Sequence, residues 1–144
     1  MILVIGYGNL LRGDDGIGQR AASILQEQCW QQDVTVLARE QLTPELMEPI
    51  SQADLVIFID ASVNVAPGVV THHNLTPSAS SDSFTHTLNP ETLLAGAQSL
   101  YGKSAEGALF SVGVESLEMG ENFSPAVTSA LPGLLELVNE RIQM

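Results

Sequence analysis

Apolar residues come in short runs along this chain, separated by breaks marked with glycine, proline or polar side chains. Ile2 to Ile5 is a continuous apolar run ending at Gly6, the pattern of a buried strand. From Gly16 to about Trp30 the apolar positions Ile17, Ala21, Ile24 and Leu25 fall near helical spacing. Val34 to Leu37 predicts a second strand, and Thr43-Pro44-Glu45 opens a helix to about Ser51, with Thr43 as N-cap and Pro44 in the first turn. Asp54 to Asp60, DLVIFID, is the clearest buried strand. Gly68 to His72 is a shorter strand after the turn signal Pro67-Gly68, and polar Asn74 to Ser83 reads as a loop. Asn89-Pro90-Glu91 opens a helix towards Leu100, and Gly107 to Gly113 is another strand. Ser124-Pro125 opens a last helix carrying Val127, Leu131, Leu134, Leu135 and Val138, with Pro132 expected in an early turn or at a kink.

Strands alternating with helices predict an α/β fold, with a mostly parallel twisted sheet of about five strands and helices on both faces. The 144 residues suit a single domain spanning 1–144. Ligands of such sheets gather beyond the carboxyl ends of the strands. Two positions of chemical interest are expected at that edge: the loop after Ile5, and Asp60 at the end of its strand.

Composition narrows the functional classes. Hydrophobic residues make up 44% and charged residues 15%, a globular balance. Seventeen Asp and Glu against five Lys and Arg give a net charge of -12, which argues against nucleic acid and anionic membrane surfaces as partners. The same charge admits a basic or cationic partner, and equally serves plain solubility. Cys29 is the only cysteine, so neither a disulfide framework nor a thiolate metal cluster is available. The opening MILVIGYGN has no basic segment, and its apolar run is too short for a signal peptide or membrane span; a cytoplasmic location is expected.

The loop GYGNLLRGDDGIG, Gly6 to Gly18, carries the candidate chemistry. Gly6 and Gly8 fit the start of a dinucleotide fingerprint, but Leu11 stands at the third glycine position. Gly8 and Gly13 have P-loop spacing, but Asp14 stands where the lysine belongs. Phosphate loops present N–H groups and positive charge, which two carboxylates oppose, so no nucleotide cofactor is expected. A single Asp at a helix start is stabilised by about 0.3–1 kcal/mol as a cap and dipole partner. That role is assigned to Asp14, which leaves Asp15 near the strand end, available to a metal or cationic group.

Gly6-x-Gly8-Asn9-x-Leu11-x-x-Asp14-Asp15-Gly16-x-Gly18 resembles the opening motif of the hydrogenase maturation endopeptidases. Three further segments appear in the same order: VIFIDAS with Asp60, SFTHTLNPETLL with His86, and VGVESLEMGENFSPAV. The resemblance implies an endopeptidase that removes the C-terminal extension of the nickel-iron hydrogenase large-subunit precursor after nickel insertion. It implies Asp15, Asp60 and His86 as metal ligands, with the nickel carried by the substrate and used as the recognition element. Gln41 to Glu45, QLTPE, resembles the subgroup serving bidirectional, NAD-linked hydrogenases. Other members carry Asp-Gly-Gly near this point, where this chain has Ala38-Arg-Glu-Gln.

Two carboxylates and an imidazole form a mixed donor set suited to nickel or zinc. There is no Gly-x-Ser-x-Gly elbow and no His-Glu-x-x-His helix. Cys29, beside Trp30 in the helical pattern, reads as a packed residue. The expected catalytic groups are Asp15 and Asp60, one of which orients or deprotonates a water while a metal polarises the scissile carbonyl. Taken singly, Asp60 equally suits a turn cap, and His86 a packing histidine at a helix entry. His72 and His73 are neighbours on a strand, so they point to opposite faces and cannot both meet one metal. Arg12 suits either a substrate carboxylate or solvent, Asn9 a turn-fixing side chain, and Glu115, Glu118 and Glu121 a solvated face. A monomer suffices for this reading. The competing class is a non-catalytic nickel-binding maturation chaperone with the same three ligands.

Overall fold

The computed structural model describes residues 1–78, 88–103 and 105–144. The strands are β1 (Ile2–Tyr7), β2 (Val34–Arg39), β3 (Leu55–Ser62), β4 (Val70–Leu75) and β5 (Glu106–Gly113). The helices are α1 (Ile17–Gln26), α2 (Met47–Gln52), α3 (Pro90–Tyr101) and α4 (Pro125–Gln143), with short 3-10 turns at Gly13–Gly16 and Pro44–Leu46. One five-stranded sheet runs in the order β2-β1-β3-β5-β4. The first four of these strands are parallel, and β4 closes one edge antiparallel to β5. The expected α/β architecture is therefore the observed one.

Alternate residues of the strands serve two cores. Val4, Ile57, Ile59, Phe110 and Val112 pack with Ile17, Ala21 and Leu25 of α1 and Val127, Leu134 and Val138 of α4. Leu3, Ile5, Val56 and Phe58 pack with Ile50 of α2 and Leu93, Leu94 and Ala97 of α3. The central strands are buried on both sides, which explains their continuous apolar runs. Helix α1 lies directly on the carboxyl end of the sheet. A Cβ on Gly18 would run into the carbonyl oxygens of Ile59 and Tyr7, so only glycine permits this approach.

Several boundaries differ from those expected. Helix α1 stops at Gln26, short of Trp30, because the Trp30 indole N–H donates to the Leu25 carbonyl at 3.2 Å and the chain turns away. Cys29 consequently lies exposed outside the helix and is not a packed residue. Strand β4 continues through Leu75, where a loop was expected, since His73, Asn74 and Leu75 pair with Leu109, Ala108 and Gly107. Thr43 precedes the Pro44 turn in an extended conformation but makes no side-chain cap. Asn89 and Ser124 do cap α3 and α4, accepting from the backbone N–H groups of Thr92 and Val127. Pro132 falls well past the first turn of α4, on the exposed side, and the helix continues through it.

Candidate functional site

The site is built where the loop after β1 folds over the carboxyl ends of β1, β3 and β5. Asn9 N–H donates to Asp15 Oδ2 at 2.8 Å, and Leu11 N–H donates to Asn9 Oδ1 at 2.9 Å. The Gln19 side-chain amide donates to the Gly8 carbonyl at 2.7 Å. Gly8, at φ +146°, lets the loop pass against the Asp15 backbone, since a Cβ there would strike the Asp15 carbonyl oxygen. These bonds present Asp15, half-buried, at the sheet edge.

Asp14 does something other than the capping expected of it. Neither the 3-10 turn nor α1 has a side-chain cap. Asp14 is fully buried and turns away to the loop that follows β5. Its Oδ2 accepts from Glu115 N–H at 2.8 Å, Ser116 N–H at 2.9 Å and the Ser124 hydroxyl at 2.7 Å, while Oδ1 accepts from Ser124 N–H at 2.7 Å. Backbone bonds between the two loops, Gly13 N–H to the Gly120 carbonyl and Gly120 N–H to the Leu11 carbonyl, complete the junction. Burial alone would push the Asp14 carboxyl up, but the donors from Ser124, Ser116 and Glu115 together outweigh it and hold Asp14 below the usual carboxylate range.

Asp60 lies inside β3, two residues before its end, so it is not a turn cap. It is paired in register with Ser111 of β5. The Ser111 hydroxyl donates to Asp60 Oδ1 at 2.6 Å, and the Tyr7 hydroxyl donates to Asp60 Oδ2 at 2.9 Å. Burial pushes the Asp60 carboxyl up; the bonds from Ser111 and Tyr7 and the nearby His73 pull it down, Asp15 adds to the rise, and the net shift is upward. Burial, then the adjacent Asp60 charge, pushes the Tyr7 phenol far up, with Glu91 of α3 adding to it. Asp15, Asp60, Tyr7, His73 and Glu91 thus share one electrostatic neighbourhood at the carboxyl edge.

The structure brings together Asp15 and Asp60, two of the three expected ligands. His86, the third, lies outside the described residues. Among the described residues no group of three His, Cys, Asp or Glu side chains could hold a metal ion. His72 and His73 do separate as expected. His72 stacks on Phe110, with centroids 5.5 Å apart, on the α1/α4 face, while His73 faces the Asp60 side. Around Asp60 the structure places Tyr7, Ser111 and His73, none of which the local sequence pattern singles out for the site. Tyr7 was hidden because β1 runs two residues past its apolar stretch, and the other two needed the register of β3, β5 and β4. Arg12, Glu115, Glu118 and Glu121 are exposed. Among the described residues no helix is long and apolar enough to cross a membrane.

No family model and no curated protein matches the sequence. Solved structures do match. A NiFe hydrogenase maturation protease, HycI from Thermococcus kodakarensis, is 25% identical with a TM-score of 0.78, covering 99% of this chain and 92% of its own. The hydrogenase maturating endopeptidase HybD from E. coli is 26% identical with a TM-score of 0.72, covering 99% and 91%. A hydrogenase 2 maturation peptidase from a Thaumarchaeota archaeon is 25% identical with a TM-score of 0.72, covering 99% and 97%.

Proposed function

We propose that this chain, which shares its whole fold with hydrogenase maturation endopeptidases, is a hydrolase of that kind. Its substrate is the nickel-iron hydrogenase large-subunit precursor, and its product is that subunit without its C-terminal extension. The observation that carries this reading is the fold shared over 99% of this chain with those proteases, in which Asp15 and Asp60 both come to the carboxyl edge of the sheet.

Nickel enters as part of the substrate. The precursor presents it, and Asp15, Asp60 and His86 are the donors that meet it, an oxygen and nitrogen set suited to a borderline divalent ion. The metal supplies polarisation of the scissile carbonyl. The chain supplies the carboxylates, Asp15, held by Asn9 N–H, and Asp60, held by Tyr7 and Ser111, one of which orients or deprotonates the attacking water. A precursor without nickel lacks the shared ligand and is not engaged, which makes cleavage a checkpoint on metal insertion. The segment Gln41–Glu45 supports a substrate from the bidirectional, NAD-linked hydrogenases. The enzyme acts as a cytoplasmic monomer in this reading.

The test is intact mass of a large-subunit precursor incubated with the protein, once nickel-loaded and once nickel-free. A fixed C-terminal loss in the loaded sample alone is the expected result. Loss in both would remove nickel as the recognition element. Loss in neither, with tight nickel binding by the isolated protein, would support the chaperone instead.

A further inference from the structure

The geometry points to Tyr7 and Ser111 as positioning residues that lock the Asp60 carboxylate in one orientation for cleavage. This rests on the reading of Asp60 as a catalytic carboxylate. The two donors come from the strands flanking β3, Tyr7 from the end of β1 and Ser111 from β5, and each takes a different oxygen. All three side chains project on the α2/α3 face, since each lies two residues beyond Ile5, Phe58 or Leu109, which pack on that side. Ser111 is only 5% exposed, and its 2.6 Å bond has the length of a charge-assisted bond from a hydroxyl to a carboxylate.

Rotation of the Asp60 carboxylate about its Cβ–Cγ bond breaks both hydrogen bonds together. Each oxygen keeps a remaining lone pair for a ligand, and the plane in which those lone pairs lie is set by the clamp. Satisfying a buried charge needs donors, but it does not need them split one per oxygen across two strands. The contrast with Asp14 is instructive: four donors surround that carboxylate and leave it little capacity for anything else. Asp60 has been given enough donors to fix it and few enough to leave it reactive. Displacing a reacting group by about 1 Å can cost on the order of 100-fold in rate, which is the scale on which such a clamp acts.

The experiment compares Tyr7→Phe, Ser111→Ala, Ser111→Thr and the Tyr7→Phe/Ser111→Ala double variant on nickel-loaded precursor, each also made in an Asp60→Asn background. Each single removal is expected to lower kcat by about 10-fold and the double by about 100-fold, with KM little changed. Ser111→Thr, which keeps the hydroxyl, should restore most of the rate. In the Asp60→Asn background the same removals should have no further effect, because they act through Asp60. Unchanged kcat in the double variant, or an equal loss without Asp60, overturns the clamp. A crystal structure of the double variant decides the matter independently of activity: a turned or disordered Asp60 side chain supports the clamp, and an unmoved one refutes it. A wild-type protein that cuts no precursor would refute the proposed function, and that crystal structure would still test the clamp.

Discussion

Asp14, in the loop after β1, and Asp60, in β3, are both carboxylates hydrogen-bonded through both oxygens, the first fully buried and the second half-buried. Asp14 receives three backbone N–H bonds and a hydroxyl and is held ionised below the usual range. Asp60 receives two hydroxyls, which do not cancel the cost of its burial, and its carboxyl rises. Backbone N–H groups are fixed by the fold and cannot leave, so Asp14 is a structural junction between the loop after β1 and the loop after β5. Hydroxyls on side chains hold Asp60 while leaving lone pairs free. Donor number and donor type thus divide the two carboxylates into one saturated by fixed donors and one with acceptor capacity left over, although both are Asp in the sequence.

The comparison is sharpened most by separating activity from stability. Asp15→Ala and Asp60→Ala are expected to lower precursor cleavage by about 100- to 10,000-fold while the thermal unfolding midpoint moves by a few degrees at most. Asp14→Ala should do the opposite first. It leaves the N–H groups of Glu115, Ser116 and Ser124 without their shared acceptor, costs roughly 3–5 kcal/mol and lowers the midpoint by about 10 °C or more. An Asp14→Ala protein that melts like the wild type would remove the distinction.

Acid unfolding gives a second, smaller contrast with opposite signs. The folded Asp14 carboxyl lies below its unfolded value, so its contribution is present above about pH 4 and is lost as pH falls through the lower, folded value. The folded Asp60 carboxyl lies above its unfolded value, so the stability gained by protonating it is present below about pH 4 and is lost as pH rises through the raised value. Stability curves against pH should therefore flatten on the acid side in Asp14→Asn, and above about pH 4 in Asp60→Asn. Parallel curves for both variants and wild type would contradict the assignment.

The smallest effect serves as a baseline. Arg141 and Glu106 form a 3.0 Å ion pair at the surface, with the Glu106 side chain 65% exposed. Glu106→Gln should change unfolding stability by under about 1 kcal/mol and leave cleavage unaltered. A larger change there would mean that surface charge in this strongly acidic protein weighs more than the two-carboxylate contrast allows.

The sequence by itself determined the architecture and singled out two candidate carboxylates, Asp15 and Asp60. Apolar runs, helical spacing and the Asn89-Pro90 and Ser124-Pro125 openings are local patterns, and β1, β3, β5, α3 and α4 follow from them. Asp15 and Asp60 stood out because charged residues beside buried strands demand an account. Tertiary structure alone decided what surrounds each carboxylate. Asp14 finds its donors more than a hundred residues away, Asp60 finds Tyr7 and Ser111 more than fifty away on either side, and β4 extends to Leu75 only because β5 offers it a partner. Hydrogen bonds and burial across strands depend on register and strand order, which no local pattern encodes. The same Asp side chain therefore becomes a saturated anchor or a carboxylate with free acceptor capacity only once the sheet has assembled.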